Sequence, residues 1–185
     1  MATPSHSRIV LVMGVAGSGK TTIGRMLAGQ LGWPYFEADD FHSAANKEKM
    51  SRGTPLDDED RAPWLAAIRR RIDECIANNQ SAIFTCSALK ESYRHVLMDH
   101  VPAVSLVYLA GDSETLLHRM EGRSGHYMKA GMLQSQLGTL EVPHNALTID
   151  IAQSPETIVA EIRKHLNGTD SMEGTTEHTK YTEKK

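Results

Sequence analysis

The chain is poor in several features, and each shortage excludes a class of protein. Cysteine occurs at only 2 of 185 positions, Cys75 and Cys86, which is too few for a disulfide framework and matches no metal or redox spacing. The formal net charge of −3 leaves no basic surplus for nucleic acid. The apolar runs fall far short of the roughly 18–20 residues of a membrane span, and the N-terminus lacks a signal-peptide layout. These absences predict a cytoplasmic protein that acts on neither membranes nor nucleic acids.

The residues that are present predict one α/β domain. Hydrophobic residues make up 40% of the chain, which is ordinary for a globular protein with its own core. Five apolar runs of strand length occur, at residues 9–13, 35–37, 82–86, 104–110 and 147–151. Helical patterns lie between and after these runs, at residues 20–31, 63–77, 87–98, 113–120 and 155–166. This alternation predicts a three-layer fold with a five-stranded parallel sheet covered by helices on both faces.

The two ends of the chain differ from this pattern. We expect the domain to span residues 9–166, after a flexible N-terminus at residues 1–8. Residues 167–185 are rich in Thr, Glu, Lys and Gly and hold almost no aliphatic side chain. Such a segment cannot bury enough apolar surface to offset its ordering entropy, so we predict a disordered tail.

The most informative motif is GVAGSGKT at residues 14–21, which matches the phosphate-loop pattern G-x-x-x-x-G-K-[ST]. It follows the first predicted strand and opens the first predicted helix, so backbone N–H groups would point at phosphate oxygens. Lys20 would neutralise the β- and γ-phosphates, and the Thr21 hydroxyl would hold Mg²⁺. The predicted nucleotide-binding residues are Gly14, Val15, Ala16, Gly17, Ser18, Gly19, Lys20, Thr21 and Thr22. The motif predicts a protein that binds a nucleoside triphosphate with Mg²⁺.

Other patterns narrow the kind of phosphate-loop protein. The chain contains neither the N-K-x-D nor the D-x-x-G pattern of GTPase switches, and the third predicted strand leads into Ser87 rather than an acidic residue. The acidic residues follow the second strand instead, at Glu37, Asp39 and Asp40. We assign Glu37 to Mg²⁺ as an indirect partner, through water, and Asp39 to orienting and deprotonating an attacking hydroxyl. A capping role in the next helix is the alternative for Asp39 and Asp40. The absence of the GTPase patterns and the acidic residues after the second strand together favour a small kinase of the nucleoside-monophosphate-kinase type.

A second group of polar residues predicts the site for a small acceptor. His42, Asn46 and Lys49 are spaced to share one face of a helix. Arg61 precedes a proline expected to start a helix, and Lys90 and Arg94 are spaced by four on the helix predicted from residue 87. These segments follow strand ends, where open α/β sheets bind ligands. The cations and hydrogen-bonding groups suit an acceptor with an acid group and hydroxyls, although each residue alone also fits a solvated helix face.

A further segment predicts a mobile lid over approximately residues 122–140. Arg119 and Arg123 lie four apart and precede a glycine-bearing stretch that includes His126. Closure of such a lid would exclude water, which competes with the acceptor for the phosphoryl group. We assign Arg123 to the transferred charge, Arg119 to the adenine and His126 to the acceptor. A surface helix is the alternative interpretation of both arginines.

With these residues assembled, the sequence resembles the gluconokinases, phosphate-loop kinases related to shikimate and adenylate kinases. The matching stretches are residues 13–22 (MGVAGSGKTT), 38–65, 86–97 and 122–143. Shikimate kinases would show three glycines after the third strand, where this chain has CSALK at residues 86–90. The chain departs from the family pattern at Glu37, where Asp is usual, at Ser43, where Pro is usual, and at Gly138, where Glu is common.

The resemblance implies ATP-dependent phosphorylation of D-gluconate at its 6-hydroxyl, and a homodimer. Some of Lys49, Arg61, Lys90 and Arg94 would then hold the gluconate carboxylate, while His42, Asn46 and Asp39 would contact its hydroxyls. Two alternatives stay open at this point. One is a kinase of the same fold with a different sugar acid or small metabolite as acceptor, and the other is a nucleotide sensor that no longer transfers phosphate.

Overall fold

The computed structural model describes residues 7–121 and 126–170, with no side chains described at 121, 126–130, 169 and 170. Its five strands are β1 (Ile9–Met13), β2 (Tyr35–Glu37), β3 (Ala82–Cys86), β4 (Val104–Ala110) and β5 (Leu147–Asp150). They form one parallel sheet in the order β2-β3-β1-β4-β5. The predicted five-stranded parallel sheet is therefore confirmed.

Helices cover both faces of the sheet and create two apolar cores. They are α1 (Lys20–Leu31), α2 (Ala44–Ser51), α3 (Asp58–Ala77), α4 (Glu91–Met98), α5 (Ser113–Glu121), α6 (His126–Thr139) and α7 (Pro155–Asp170). Side chains alternate between faces along a strand, so Val10 and Val12 of the central β1 join the core that contains α1, α5 and α7. Ile9, Leu11 and Met13 join the opposite core, with α3 and α4. The three-layer prediction is confirmed.

The start of α3 was predicted wrongly. Pro63 lies inside this helix, which begins five residues earlier at Asp58. A reciprocal capping box sets the true start, because Asp57 accepts from the Asp60 N–H while the Asp60 carboxylate accepts from the Asp57 N–H. The earlier start places Asp58 and Arg61 in the first turns of a helix.

Two further boundaries differ from the prediction near the carboxyl ends of the strands. Helix α4 begins at Glu91 rather than 87, and the loop before it holds the buried Ala88 in a left-handed conformation with φ 44°. Helix α2 begins after its N-cap Ser43, whose hydroxyl accepts from the Asn46 N–H at 3.1 Å. His42 therefore precedes α2 and does not share its face with Asn46.

The termini of the domain extend beyond the predicted limits. Helix α7 continues to Asp170, so residues 167–170 are helical and not part of a disordered tail. Arg8 is held at the other end, because its N–H donates to Ser81 Oγ at 3.0 Å and its Nη1 to the Leu166 carbonyl at 2.6 Å. The rest of both predicted flexible ends, residues 1–6 and 171–185, lies outside the described residues. Within the described ranges, no helix is both long and apolar enough to cross a membrane.

Candidate active site

The loop between β1 and α1 has the geometry of a phosphate cradle. Gly17 and Gly19 adopt φ values of 82° and 91°, which favour glycine, and a Cβ on Gly17 would lie 3.0 Å from the Leu116 carbonyl oxygen. The N-cap of α1 is Gly19, and no side chain among the described residues caps this end of the helix. Its first N–H groups and the positive end of the helix dipole are therefore available to an anion.

Lys20 is half-buried at the floor of this cradle. Its Nζ donates to the Val15 carbonyl at 3.0 Å. Burial lowers the pKa of Lys20, and the nearby charges of Asp39 and Glu37 oppose that shift. The Ser18 hydroxyl is also buried, and it has no hydrogen-bond partner among the residues described. A half-buried ammonium and a buried hydroxyl without a partner among the described residues, both on one loop, fit a phosphate ligand.

A cavity of about 460 Å³ opens from the loop toward α5 and α7. Besides loop residues 16–22, its wall contains Ile23, Arg119, Met120, Met132, Gln153, Pro155 and Ile158. Arg119 is fixed there, because its Nη2 donates to the Ile151 carbonyl at 2.5 Å. Its place in the wall is compatible with the predicted contact with adenine. Arg123 and the His126 side chain lie outside what the structure describes, so their assignments stay predictions.

Glu37, at the end of β2, lies beside the phosphate loop in a dense hydrogen-bond network. Its Oε2 accepts from Thr21 Oγ1 at 2.9 Å and from the Tyr35 hydroxyl at 2.5 Å. Its Oε1 accepts from Thr85 Oγ1 at 2.8 Å. Burial and the hydrogen bond to Glu37 raise the pKa of Tyr35, so this phenol stays a donor. The network fixes the carboxylate next to the Thr21 hydroxyl.

The pairing of Thr21 with Glu37 suits Mg²⁺. The ion prefers hard oxygen ligands and usually takes one or two protein groups together with phosphate oxygens and water. Over residues 7–121 and 126–170, no group of three or more His, Cys, Asp or Glu side chains is arranged for a metal. Thr21 and Glu37 offer two oxygen groups of the kind that such an ion takes.

A glycine in α1 makes room for this network. A Cβ on Gly24 would lie 2.5 Å from Thr85 Cγ2 and 2.8 Å from Tyr35 Cε2, both on residues that bind Glu37. We expect Gly24→Ala to lower the free energy of unfolding by about 1–3 kcal/mol through overpacking, measured by urea denaturation. Gly29→Ala is the matched control, because no atom lies within 4 Å of that Cβ, and alanine should stabilise the helix by about 1 kcal/mol. Equal stability of the two variants would contradict the proposed close packing.

The turn after β2 carries Asp39 and His42. Trp64 fixes this turn by donating from Nε1 to the Ala38 carbonyl at 2.7 Å, and its ring stacks on His42 with centroids 4.5 Å apart. His42 is buried, and its Nδ1 has no partner in the described part of the chain. Burial lowers the pKa of His42, so the ring is neutral near pH 7. Because Ser43 caps α2, the capping alternative for Asp39 and Asp40 is wrong.

A second cavity, of about 370 Å³, lies between the start of α3, the loop before α4, and α6. Of the eight residues predicted to contact the acceptor, Arg61 and Lys90 line it, and Asp39, His42, Asn46, Lys49 and Arg94 do not. Lys90 Nζ donates to both Asp58 carboxylate oxygens, at 2.7 and 2.8 Å, and the Tyr93 hydroxyl donates to the same carboxylate. The Arg61 guanidinium lies 5.9 Å from the centroid of the Tyr93 ring. The cavity thus holds two cations, one of them already paired with a carboxylate.

The structure gives other partners to three residues predicted for this site. Lys49 Nζ binds the Asp60 carboxylate at 2.6 and 2.8 Å, and Asn46 Nδ2 donates to the Asp60 carbonyl at 2.7 Å. Arg94 is buried, and its Nη1 donates to the carbonyls of Ala88 and Leu89, each at 3.0 Å. None of the three lines the second cavity. In this structure they brace α2 against α3 and hold the strained loop before α4.

Comparisons with known proteins agree with these features. Residues 16–167 match the shikimate kinase family. A probable gluconokinase of Dictyostelium discoideum is 42% identical over 171 residues, covering 85% of this chain and 86% of the relative. The gluconokinase of Gluconobacter oxydans is 41% identical over 166 residues, covering 88% and 93%. The crystal structure of a gluconokinase from Sinorhizobium meliloti is 38% identical, with a TM-score of 0.81 over 93% of this chain and 99% of that one.

The chain belongs to the gluconokinase family of P-loop kinases. A shikimate kinase structure from Aquifex aeolicus, at 16% identity and a TM-score of 0.54, shares the fold alone. One departure from the family pattern can now be described in structural terms. Although Glu37 is one methylene longer than the usual aspartate, its carboxylate still reaches the Thr21 hydroxyl.

Sequence reasoning missed several residues of this gluconokinase-family site. Tyr35 and Thr85 hold Glu37 in place, and a threonine within an apolar strand run was the available signal. Asp58 was missed because Pro63 was taken as the start of α3. Gln136 contacts the phosphate loop across 120 residues of sequence, and no local pattern predicts such a contact.

Proposed function

We propose that this protein transfers the terminal phosphoryl group of ATP to the 6-hydroxyl of D-gluconate, giving 6-phospho-D-gluconate and ADP. The observation that carries the proposal is the pair of cavities beside one phosphate loop. One is lined by the loop itself, and the other contains Arg61 and Lys90, which suit an acidic acceptor. Membership of the gluconokinase family supports gluconate as that acceptor.

The reaction forms a bond between the gluconate O6 and the terminal phosphorus and breaks the bond from that phosphorus to the bridging oxygen of ADP. The hydroxyl proton passes to the Asp39 carboxylate and then to water. Asp39 is suited to this role because it follows β2 and lies close enough to Lys20 to raise the pKa of that ammonium. Phosphoryl transfer needs little covalent chemistry, so positioning and charge neutralisation dominate.

The charge of the phosphates is neutralised from several directions. Lys20 supplies a half-buried ammonium at the loop. We assign Arg123 to the transferred phosphoryl group and Arg119 to the adenine. Thr21 and Glu37 would hold Mg²⁺, directly or through water, and the bound ion would draw electron density from the phosphate oxygens. Since the Thr21 hydroxyl already donates to Glu37 at 2.9 Å, these two groups are pre-arranged.

The acceptor carboxylate would bind by exchange at Lys90. The ammonium is paired with Asp58 in this structure, and these hydrogen bonds raise the pKa of Lys90 and lower that of Asp58. Both groups are therefore charged at neutral pH. The gluconate carboxylate would take the place of the Asp58 carboxylate at the Lys90 ammonium. Arg61, on the same cavity wall, offers a second cation.

This arrangement predicts different roles for two lysines that the sequence treats alike. Lys90→Met should raise the KM for gluconate about 10–100-fold, as expected for loss of a charge-assisted hydrogen bond, with little change in the KM for ATP. Lys49→Met is the matched control, because Lys49 binds Asp60 and does not line the cavity. Steady-state kinetics with varied gluconate measures both. An equal rise in the two variants would contradict the assignment of the carboxylate to Lys90.

Acceptor specificity tests the proposed function. ADP release is measured with ATP, Mg²⁺ and a panel of D-gluconate, other sugar acids, shikimate and nucleoside monophosphates. The proposal predicts gluconate as the best acceptor by kcat/KM. Preference for another acid would favour a related kinase, and nucleotide binding without turnover of any acceptor would favour a sensor.

The proposal also includes a cytosolic homodimer. Cys75 and Cys86 are both free and buried, which fits a reducing compartment. Burial raises the pKa of the Cys86 thiol to about 12, so it stays neutral and unreactive. The dimer rests on the family resemblance, and sedimentation equilibrium of the purified chain tests it by mass.

A further inference from the structure

Gln136 of α6 lies at the boundary between the two cavities. Its Oε1 accepts a hydrogen bond from the Ala16 N–H of the phosphate loop at 2.7 Å. The same side chain lines the second cavity, together with Arg61 and Lys90, whereas Ala16 lines the first. The Gln136 side chain therefore contacts the phosphate loop and also lines the second cavity.

The contact with Ala16 uses only one end of the carboxamide. A glutamine amide accepts through its oxygen and donates through its nitrogen. Because the oxygen is held on the loop, the Nε2 group is the end left for a ligand, and it has no hydrogen-bond partner among the residues whose contacts the structure gives. A half-buried amide donor beside a phosphate loop suits an anionic oxygen.

The position of Ala16 identifies which phosphate that oxygen belongs to. Lys20 and Thr21 open α1 and line the first cavity. Ala16 precedes α1 in the loop, lines the same cavity and contacts a side chain of the acceptor cavity. A phosphoryl group that moves from one cavity to the other must pass this boundary, so the terminal phosphate is the group nearest Gln136.

We propose that Gln136 binds the terminal phosphoryl group of ATP, with its oxygen anchored on the Ala16 N–H and its amide nitrogen donating to a non-bridging phosphoryl oxygen. The proposal rests on the function given above, because it places the transferred group between ATP and the acceptor. ADP lacks this group and makes no such contact. Gln136 thus distinguishes ATP from ADP and holds the phosphoryl group toward the acceptor hydroxyl.

The substitution Gln136→Glu tests the donor specifically. Glutamate keeps the length of the side chain and an oxygen for Ala16, but it replaces the amide donor by a negatively charged oxygen. We expect affinity for the β,γ-imido analogue of ATP to fall about 10–100-fold, as for a lost charge-assisted hydrogen bond, while ADP affinity changes less than about twofold. Isothermal titration calorimetry measures both, and kcat with gluconate should fall in parallel with the affinity for the analogue.

Gln134→Glu is the matched control, because Gln134 is exposed on the same helix and lines neither cavity. It adds the same charge and should leave both affinities unchanged. Gln136→Met is the second variant, which removes the donor without adding charge and should still weaken the analogue more than ADP. Thermal unfolding of each variant checks that the fold persists.

Two results would overturn the proposal. Either both Gln136 variants bind the analogue as the unaltered protein does, or they lose affinity for the analogue and ADP equally, as a purely structural contact predicts. The binding measurements need no acceptor. Failure of gluconate as a substrate of the unaltered protein would therefore count against the proposed function, while the comparison of ATP analogue with ADP still decides the role of Gln136.

Discussion

Lys20→Ala should lower kcat by about 10³-fold or more, the scale at which single groups that stabilise phosphoryl or oxyanion charge act. Lys20 is the ammonium at the floor of the phosphate loop, where its Nζ binds the Val15 carbonyl. Burial lowers its pKa, and the nearby charges of Asp39 and Glu37 oppose that shift. Alanine removes that charge from the phosphates without removing the loop N–H groups. Coupled-assay kinetics at saturating ATP and gluconate measures the effect.

Lys164→Ala is the control for loss of a lysine, because Lys164 is exposed on α7 and lines neither cavity. Its kcat should match that of the unaltered protein. Thermal unfolding separates a catalytic loss from a folding defect. If folded Lys20→Ala retained more than about a tenth of the activity, the role assigned to this ammonium would be wrong.

Asp39→Asn should lower kcat by about 10²–10⁴-fold, the range expected for loss of general base catalysis, while ATP binding survives. The side chain follows β2 on a turn that Trp64 holds through the Ala38 carbonyl. Asparagine keeps the size of the side chain and the turn, but it cannot take the proton of the acceptor hydroxyl. Kinetics gives kcat, and calorimetry with an ATP analogue gives the affinity.

The neighbouring Asp40→Asn is the matched control for this substitution. Both aspartates are exposed on this turn and neither lines a cavity, but only Asp39 is among the charges that act on Lys20. The amide variant of Asp40 should therefore stay close to full activity. Near-normal kcat in Asp39→Asn would show that Asp39 is not the base. An equal loss in both variants would instead indicate that the negative charge of the whole turn matters.

The fold was largely predictable because its main signals are local. Buried parallel strands such as Ile9–Met13 are continuous apolar runs, and the predicted bounds of β1 agree with the structure. Strand β5 ends one residue earlier than predicted, at Asp150. The start of α3 was missed because Pro63 is a strong local signal for a helix start, whereas the capping box of Asp57 and Asp60 needs two side chains to be weighed together. Helix α4 begins late because Ala88 adopts a conformation that its sequence does not indicate.

The phosphate loop was predictable from sequence and the acceptor cavity was not, again because only the first is specified by local signals. The phosphate loop is contiguous in sequence, so its motif already specifies its backbone geometry. The acceptor cavity is built from segments far apart in sequence, and the cations near it form ion pairs with carboxylates on other segments. Lys90 pairs with Asp58 and Lys49 with Asp60, so only one of two similar lysines faces the cavity. Helical spacing alone could not distinguish them.

The most direct test of the proposed reaction is to identify its product. The purified protein is incubated with ATP, Mg²⁺ and D-gluconate labelled with carbon-13 at C6, and the product is analysed by phosphorus and carbon NMR. We predict a new phosphomonoester signal coupled to the labelled carbon, together with one ADP per ester formed. ADP without an ester, or an ester on another carbon, would contradict phosphorylation of gluconate at its 6-hydroxyl.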